Sequence, residues 1–248
     1  MTKPDRRKSI AASSRSILAI ECSTPKASVA IRNAAGTVVE QAVPTGDRTV
    51  DRLPPSIDRL IRDAGLDRGD LGGIAVSEGP GGFTGLRVSV ALAKGIAEAL
   101  RIPTLGVSSA AVAAASTLTA EDSRVAMVVM ATKRGTAWVE TVFRDEVAGR
   151  RVSRGGRIVD VHSAREAALF DAVEGRVVLA DERQDREIVA ALTGDPAVEL
   201  RPRHSAGALV ELAERAADDE WDDPARLLVR YPRVPEAVTL WNAQRGDR

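Results

Sequence analysis

The chain has 248 residues, 44% of them apolar and 28% charged, with 35 Lys and Arg balanced by 35 Asp and Glu. This composition suits one large globular domain or two smaller ones, and its neutrality excludes a strongly basic nucleic-acid coat. A single cysteine, Cys22, excludes an intrachain disulfide framework and points to a reducing, cytoplasmic compartment, while charges interrupt every stretch that could approach the roughly 18 apolar residues of a membrane span.

Residues 1–15 carry Lys3, Arg6, Arg7, Lys8 and Arg15 against Asp5, which imitates the start of an export signal. Such a signal needs an apolar run of about 7–15 residues next, and Ile10-Ala11-Ala12 gives way at once to Ser13-Ser14-Arg15. The segment reads as a disordered, solvated basic tail.

Three short β-favouring runs follow, Ile17-Leu18-Ala19-Ile20, Ala27-Ser28-Val29-Ala30-Ile31 and Thr37-Val38-Val39-Glu40, with turn residues between them, so an antiparallel meander is expected. Residues 52–64 place Leu53, Ile57, Leu60 and Ile61 at helical spacing, with prolines at the start and Gly65 after the end. Next come a buried strand at Ile74-Ala75-Val76, a long helix through 91–100 and a strand at 103–107. Ser108-Ser109 then caps an alanine-rich helix. After the polar segment 118–124, strands are expected at 125–130, 137–143, 157–161 and 177–179, and helices at 163–170, 186–192 and 206–217. The pattern predicts an α/β protein of two units, an amino-terminal lobe at 16–120 and a smaller lobe at 121–248, with no obvious sequence repeat.

The segment Glu78-Gly79-Pro80-Gly81-Gly82-Phe83-Thr84-Gly85 lies between a buried strand and a long helix. Glycines there can bring backbone N–H groups to a phosphate at a helix start, which makes Gly82, Thr84 and Gly85 the anion-site candidates. Neither well-known phosphate motif is matched, because Leu86 follows Gly85 where a Walker loop needs Lys, and Thr84 stands where the dinucleotide fingerprint needs its last glycine. A tight turn with Thr84 as helix cap explains the segment more simply.

Between Leu86 and Leu100 the charged residues are Arg87, Lys94 and Glu98, which fall within about 40° of one another on a helix. Apolar residues occupy almost all the remaining circumference, and Ala91, Gly95 and Ala99 form a smooth row that permits close helix approach. Such a helix must be sandwiched, either inside its own chain or against another.

The chemistry of common active sites is sparse. His162 and His204, the two histidines, fall in different predicted elements, so no metal-ligand pair stands at helical spacing and no metal is assigned. Cys22 reads as a small core residue. Asp70-Leu71-Gly72-Gly73 and Arg150-Arg151 resemble phosphate and RNA contacts, but solvated turns account for both.

Several of these residues carry a resemblance: Ile17 to Thr24, Ala27-Ser28-Val29-Ala30, Glu78 to Arg87, Ala93-Lys94-Gly95, and Ile102-Pro103 with Gly106-Val107-Ser108-Ser109. They are similar to the TsaB (YeaZ) family, whose G-P-G-S-F-T-G-[LVI]-R motif differs here by Gly82 for Ser. The similarity covers roughly residues 17–110. Beyond them Tyr231, Arg233 and Pro235-Glu236-Ala237 resemble the family's carboxyl-terminal signature. The resemblance implies an actin-like ATPase-domain (ASKHA) fold of two ribonuclease-H-like lobes. It also implies a non-catalytic dimerisation subunit of the bacterial machinery that attaches a threonylcarbamoyl group to N6 of adenosine 37 in tRNA.

Implied partners are a TsaD-like catalytic subunit, a TsaE-like ATPase and a second copy of the chain, with tRNA met indirectly. No resident cofactor is implied, though ATP or ADP is admissible at an interface of the complex. On this reading Phe83, Leu86, Arg87, Val90, Lys94 and Ala97 are the candidate partner contacts. Two departures from the family, Glu21 in place of Asp and the absence of a histidine before the first helix, suit a scaffold better than a catalyst. The competing expectations are an ATP-dependent phosphotransferase or ATPase using Thr84 and the glycine loop, direct tRNA binding through 144–157 and the tail, and, least supported, a glycoprotease-type peptidase. The last would need a nucleophile or metal that the sequence does not offer.

Overall fold

The computed structural model describes residues 16–44, 49–119, 121, 122, 124–132, 135–147, 149–164, 176–181, 183, 186–193, 199–232 and 241. The expected basic tail and most of the expected 163–170 helix lie outside them, as do Arg233 and Pro235 to Ala237.

The first sheet has the order β3-β2-β1-β4-β5, with β1 Ser16–Glu21, β2 Ser28–Arg32, β3 Val38–Ala42, β4 Leu71–Gly79 and β5 Thr104–Ser108. The first three strands form the expected antiparallel meander, while β4 runs parallel to β1 and β5 parallel to β4. Alternation along β1 sorts its side chains into two cores. Leu18 and Ile20 pack with Ile57, Leu60, Val90 and Ala97 from helices α1 (Leu53–Asp63) and α2 (Phe83–Leu100), whereas Ile17 and Ala19 face Val112, Leu209 and Ala213 on the other side.

The second sheet comprises β6 Ala126–Ala131, β7 Ala137–Arg144, β8 Arg151–Val159, β9 Val177–Ala180 and β10 Glu199–Leu200, in the order β10-β9-β6-β7-β8. Again three antiparallel strands are followed by two parallel ones. Numbered from its own first strand, each sheet therefore has the same 3-2-1-4-5 order, so the protein is built from two ribonuclease-H-like units. The repeat lies in topology and not in residues. Helix α4, Arg186–Thr193, covers one face of the second sheet through Ile188, Val189 and Leu192.

Helix α3, Ser109–Thr117, joins the units. Ala111 and Val112 belong to a core of the first sheet, while Ala110, Ala113 and Ala114 pack on Val128, Val142 and Leu179 of the second. The helix that is enclosed all round is thus the alanine-rich one, whose small side chains let two sheets approach it together. Ser108 caps it as expected, accepting from the Ala110 N–H at 3.2 Å.

The carboxyl-terminal part of the expected 121–248 lobe does not stay with the second sheet. Helix α5, Ala206–Glu214, covers the otherwise bare face of Ile17, Ala19, Ala30 and Ala75 with Leu209, Val210 and Ala213. Its Ala206 N–H donates to Glu40 Oε1 and Ser28 Oγ at 2.9 Å each, and Glu214 at its far end pairs with Arg32. The chain then runs back along the first sheet, where Thr104 and Asp222 form a two-way backbone bridge and Leu227 enters the α1–α2 core.

Candidate functional site

The glycine segment follows β4 through a cis Gly79–Pro80 peptide and leads into α2. It packs backbone to backbone on the turn after β1. The Gly82 N–H donates to the Ser23 carbonyl at 2.7 Å, and a Cβ added at Gly81 or Gly85 would overlap the carbonyl oxygens of Ser23 and Cys22. These glycines serve close approach. The turn reading accounts for them, but the cap does not: the helix is preceded by Gly82, no side chain caps it, and Thr84 is an exposed residue of its first turn. Of the anion candidates, Gly82 has its N–H committed, and Gly85 is pressed against Cys22.

Ligands in α/β folds bind outside the carboxyl ends of parallel strands, which in the first sheet are the ends of β1, β4 and β5. Here the polar groups hold one another. Glu21, fully buried, accepts from the Ser23 N–H at 2.7 Å and from the hydroxyls of Ser23 and Ser77. Glu140 of β7 accepts from Ser108 Oγ at 2.6 Å and from Trp138 Nε1 at 2.8 Å, which ties the second sheet to the end of β5. Arg230 sits 2.7 Å from Glu78 and 3.7 Å from Glu140. Burial pushes the Glu78 carboxyl above its ordinary range, Arg230 opposes that shift, and the Glu140 charge adds to it. The residues of this network escape a motif search because Arg230, Glu140 and Glu78 are joined only by folding.

The cysteine and histidines are placed without a nucleophilic pair among the described contacts. Burial first, then the Glu21 charge, pushes the Cys22 thiol up to about 12, so it stays protonated at neutral pH. Burial holds His204 below its ordinary range against the opposing pull of Glu21 and Asp181, while His162 is exposed. Among the described residues no group of three or more His, Cys, Asp or Glu side chains is placed to hold a metal ion.

Helix α2 has two different sides. Leu86, Val90 and Ala97 are 1%, 5% and 0% exposed and pack on the protein's own sheet, so as placed they cannot meet a partner. The expectation that they form the interface is corrected by the direction of the helix: its buried arc runs through Leu86, Ser89, Val90, Ala93 and Ala97. Lys94 donates to the carbonyls of Ala225 and Leu227 at 3.1 and 3.0 Å, and Arg87 Nε donates to Tyr231 Oη at 2.6 Å. The charged stripe thus fastens the returning 224–231 segment. Phe83, 55% exposed, lies 5.5 Å from the Tyr231 ring, with the Arg87 guanidinium 3.7 Å above the Phe83 ring. What remains open is the small-residue row: Ala91, Gly95 and Ala99 are exposed, with Val88 and Leu92 half-buried along its edge.

Two expected solvated turns are also corrected. Leu71 to Gly73 begin the buried strand β4, and Arg151 is buried, with its guanidinium on the carbonyls of Arg124, at 2.8 Å, and Asp122. Arg150 pairs with Glu220. Among the described residues no helix is long and apolar enough to cross a membrane.

The topology and the glycine turn define a two-lobed ribonuclease-H-like protein of the actin-like ATPase-fold class. The solved structure of YeaZ from Pseudomonas aeruginosa has the same fold, with a TM-score of 0.75 at 23% identity over 88% of this chain and 99% of that one. Residues 44–185 match the family model described as TsaD, tRNA N6-adenosine threonylcarbamoyltransferase. An uncharacterized protein of Mycobacterium tuberculosis is 30% identical over 226 residues, 90% of this chain and 94% of its own length. The tRNA threonylcarbamoyladenosine biosynthesis protein TsaB of Escherichia coli is 33% identical over 93 residues, 38% of this chain and 40% of that protein. The chain belongs to the TsaB (YeaZ) family.

Proposed function

We propose that the chain serves tRNA threonylcarbamoyladenosine biosynthesis as a non-catalytic subunit that docks the open side of α2 onto a TsaD-type catalytic subunit. One observation carries this reading: the Ala91, Gly95 and Ala99 row is uncovered, although the opposite side of the same helix is fully packed and its charged stripe is tied down by the chain itself. Small residues spaced by four form a shallow groove into which a second helix can settle closely. Exposed Phe83 at one end of the row supplies an aromatic anchor of the kind that dominates interface energetics.

The crevice supports the same role. Glu21 and Glu140 are filled by the chain's own hydroxyl, indole and amide donors, and the thiol beside Glu21 is held protonated. In this reading a TsaE-type ATPase completes the assembly and tRNA is met through the TsaD-type subunit. A second copy of the chain competes for the α2 side when no partner is present, and ATP or ADP enters only at an interface of the complex.

The test is copurification of the tagged full chain with the TsaD-type subunit of the same cell. Wild type should retain it and Ala91→Glu should lose it with unchanged thermal melting. Equal retention by a folded Ala91→Glu protein would overturn the proposal.

A further inference from the structure

A cavity of about 330 Å³ opens where the end of α3, the β7–β8 hairpin and both ends of α5 meet, on the join between the two units. Arg144, Arg150, Arg151, Arg203 and Arg215 line it, with Glu211 the single acidic residue in its wall. Arg144, Arg150 and Arg151 come from the β7–β8 hairpin and Arg203 and Arg215 from the two flanks of α5; their like charges repel, Arg151 is buried, and Arg203 and Arg215 are exposed to an incoming anion.

The chain's own acceptors satisfy them in part. Arg151 is fixed on the carbonyls of Arg124 and Asp122, Arg215 on that of Gly149, and Arg150 on Glu220. The Arg150 Nε–H is nonetheless buried with no acceptor, and the side chains of Arg144 and Arg203 have no ion-pair or hydrogen-bond partner among the described residues. Backbone contacts set the geometry, since the Arg203 N–H donates to Thr117 Oγ1 at 2.9 Å and Arg144 pairs in register with Arg151 across the hairpin. Arg151 is held below its ordinary range by burial first, partly offset by Asp122, and then by the positive charges of Arg144 and Arg124.

We propose that this cavity is a phosphate-binding site that takes a phosphate or pyrophosphate group. Planar guanidiniums match phosphate oxygens in paired, charge-assisted hydrogen bonds, and a concave site of this volume lies at the small end of ligand pockets, the size of one phosphorylated molecule. Two sources present the same chemistry, a small phosphorylated ligand and a backbone phosphate of RNA. The site is on a different surface from α2, so it stands or falls independently of partner docking.

The experiment is calorimetry of the full chain with inorganic pyrophosphate and, in a second arm, with a tRNA transcript, each at two salt concentrations. The variant is Arg144→Gln/Arg203→Gln, which removes the two guanidiniums that hold nothing else in place. Wild type should bind in at least one arm, more weakly at higher salt. The variant should lose at least about tenfold in affinity, the effect of roughly one charge-assisted hydrogen bond, while melting no lower than wild type. Binding of pyrophosphate assigns the site to a small ligand, and binding of tRNA alone assigns it to a backbone phosphate. No binding in either arm, or binding that the folded variant retains undiminished, overturns the proposal. Retention of the TsaD-type subunit by the variant separates this result from the docking reading.

Discussion

Arg230 and Glu78 form an ion pair 2.7 Å long between the returning carboxyl-terminal segment and the end of β4, and the Arg230 N–H also donates to the Glu78 carbonyl at 2.7 Å. One arginine therefore opposes the upward shift that burial imposes on the Glu78 carboxyl. Since the Glu78 pKa in the folded protein lies above its ordinary 4.5, the native state binds more protons than the unfolded one just above that pH. Stability from this group is then lost as pH rises through the folded pKa. Arg230→Ala should enlarge that loss. We expect a destabilisation of about 1–2 kcal/mol at pH 7.5, discounted for the partial exposure of Arg230, and clearly less at pH 5. Urea denaturation at the two pH values checks this, and equal losses at both would show that the pair contributes no charge effect.

Gly81→Ala and Gly85→Ala should each destabilise by about 1–3 kcal/mol, because the added methyl meets carbonyl oxygens of the Cys22–Ser23 backbone that no rotamer change can move aside. Gly95→Ala is the contrast. It lies inside α2 with nothing within 4 Å of the new Cβ, and should stabilise the isolated chain by roughly 0.5–1 kcal/mol. Thermal melting of the three variants side by side orders them. Had the loop been an open anion cradle, Gly81→Ala and Gly85→Ala would leave stability nearly unchanged.

Cys22, 5% exposed and with its thiol pushed up to about 12, should resist a thiol reagent at pH 8 in the native protein and react fully in denaturant. The same shift gives a pH signature. The folded thiol keeps its proton above the ordinary 9.0, so the stability it contributes is present below that pH and is lost as pH climbs from about 9 toward 12. Cys22→Ala should flatten that decline in a denaturation series from pH 8 to 11.

Helix α5 is tied at its start by Glu40, which accepts from the Ala206 N–H and from Ser205 Oγ at 2.9 Å each. Glu40→Ala removes a cap supplied by another element and should cost about 1 kcal/mol, measured by urea denaturation. Hydrogen exchange should quicken over 206–213 before any change in α1.

Local structure was readable where the determinants are local. The meander, α1, the strand-to-helix turn and the Ser108 cap follow from periodicity and from residues a few positions apart. The two-unit repeat is hidden in the sequence because strand order is set by pairing between distant segments, and β8 begins at Arg151, ahead of the expected 157–161, because Gly155-Gly156 interrupts its β-favouring pattern. For α2, periodicity gave the composition of each arc but not its cover. The chain's own sheet takes up the arc of Leu86, Val90 and Ala97, and the 224–231 segment, far along the chain, takes up Lys94, so none of the four is left on a partner surface. A buried Arg151 was equally beyond reach, since only folding brings the Asp122 and Arg124 carbonyls to it.

The docking of α2 is tested most directly by light scattering of the full chain mixed with its TsaD-type subunit, using wild type and Ala91→Glu. The account predicts a mass equal to the sum of both subunits for wild type and separate masses for the variant, with matching melting curves for the two proteins alone. A variant that forms the same complex as wild type would contradict it.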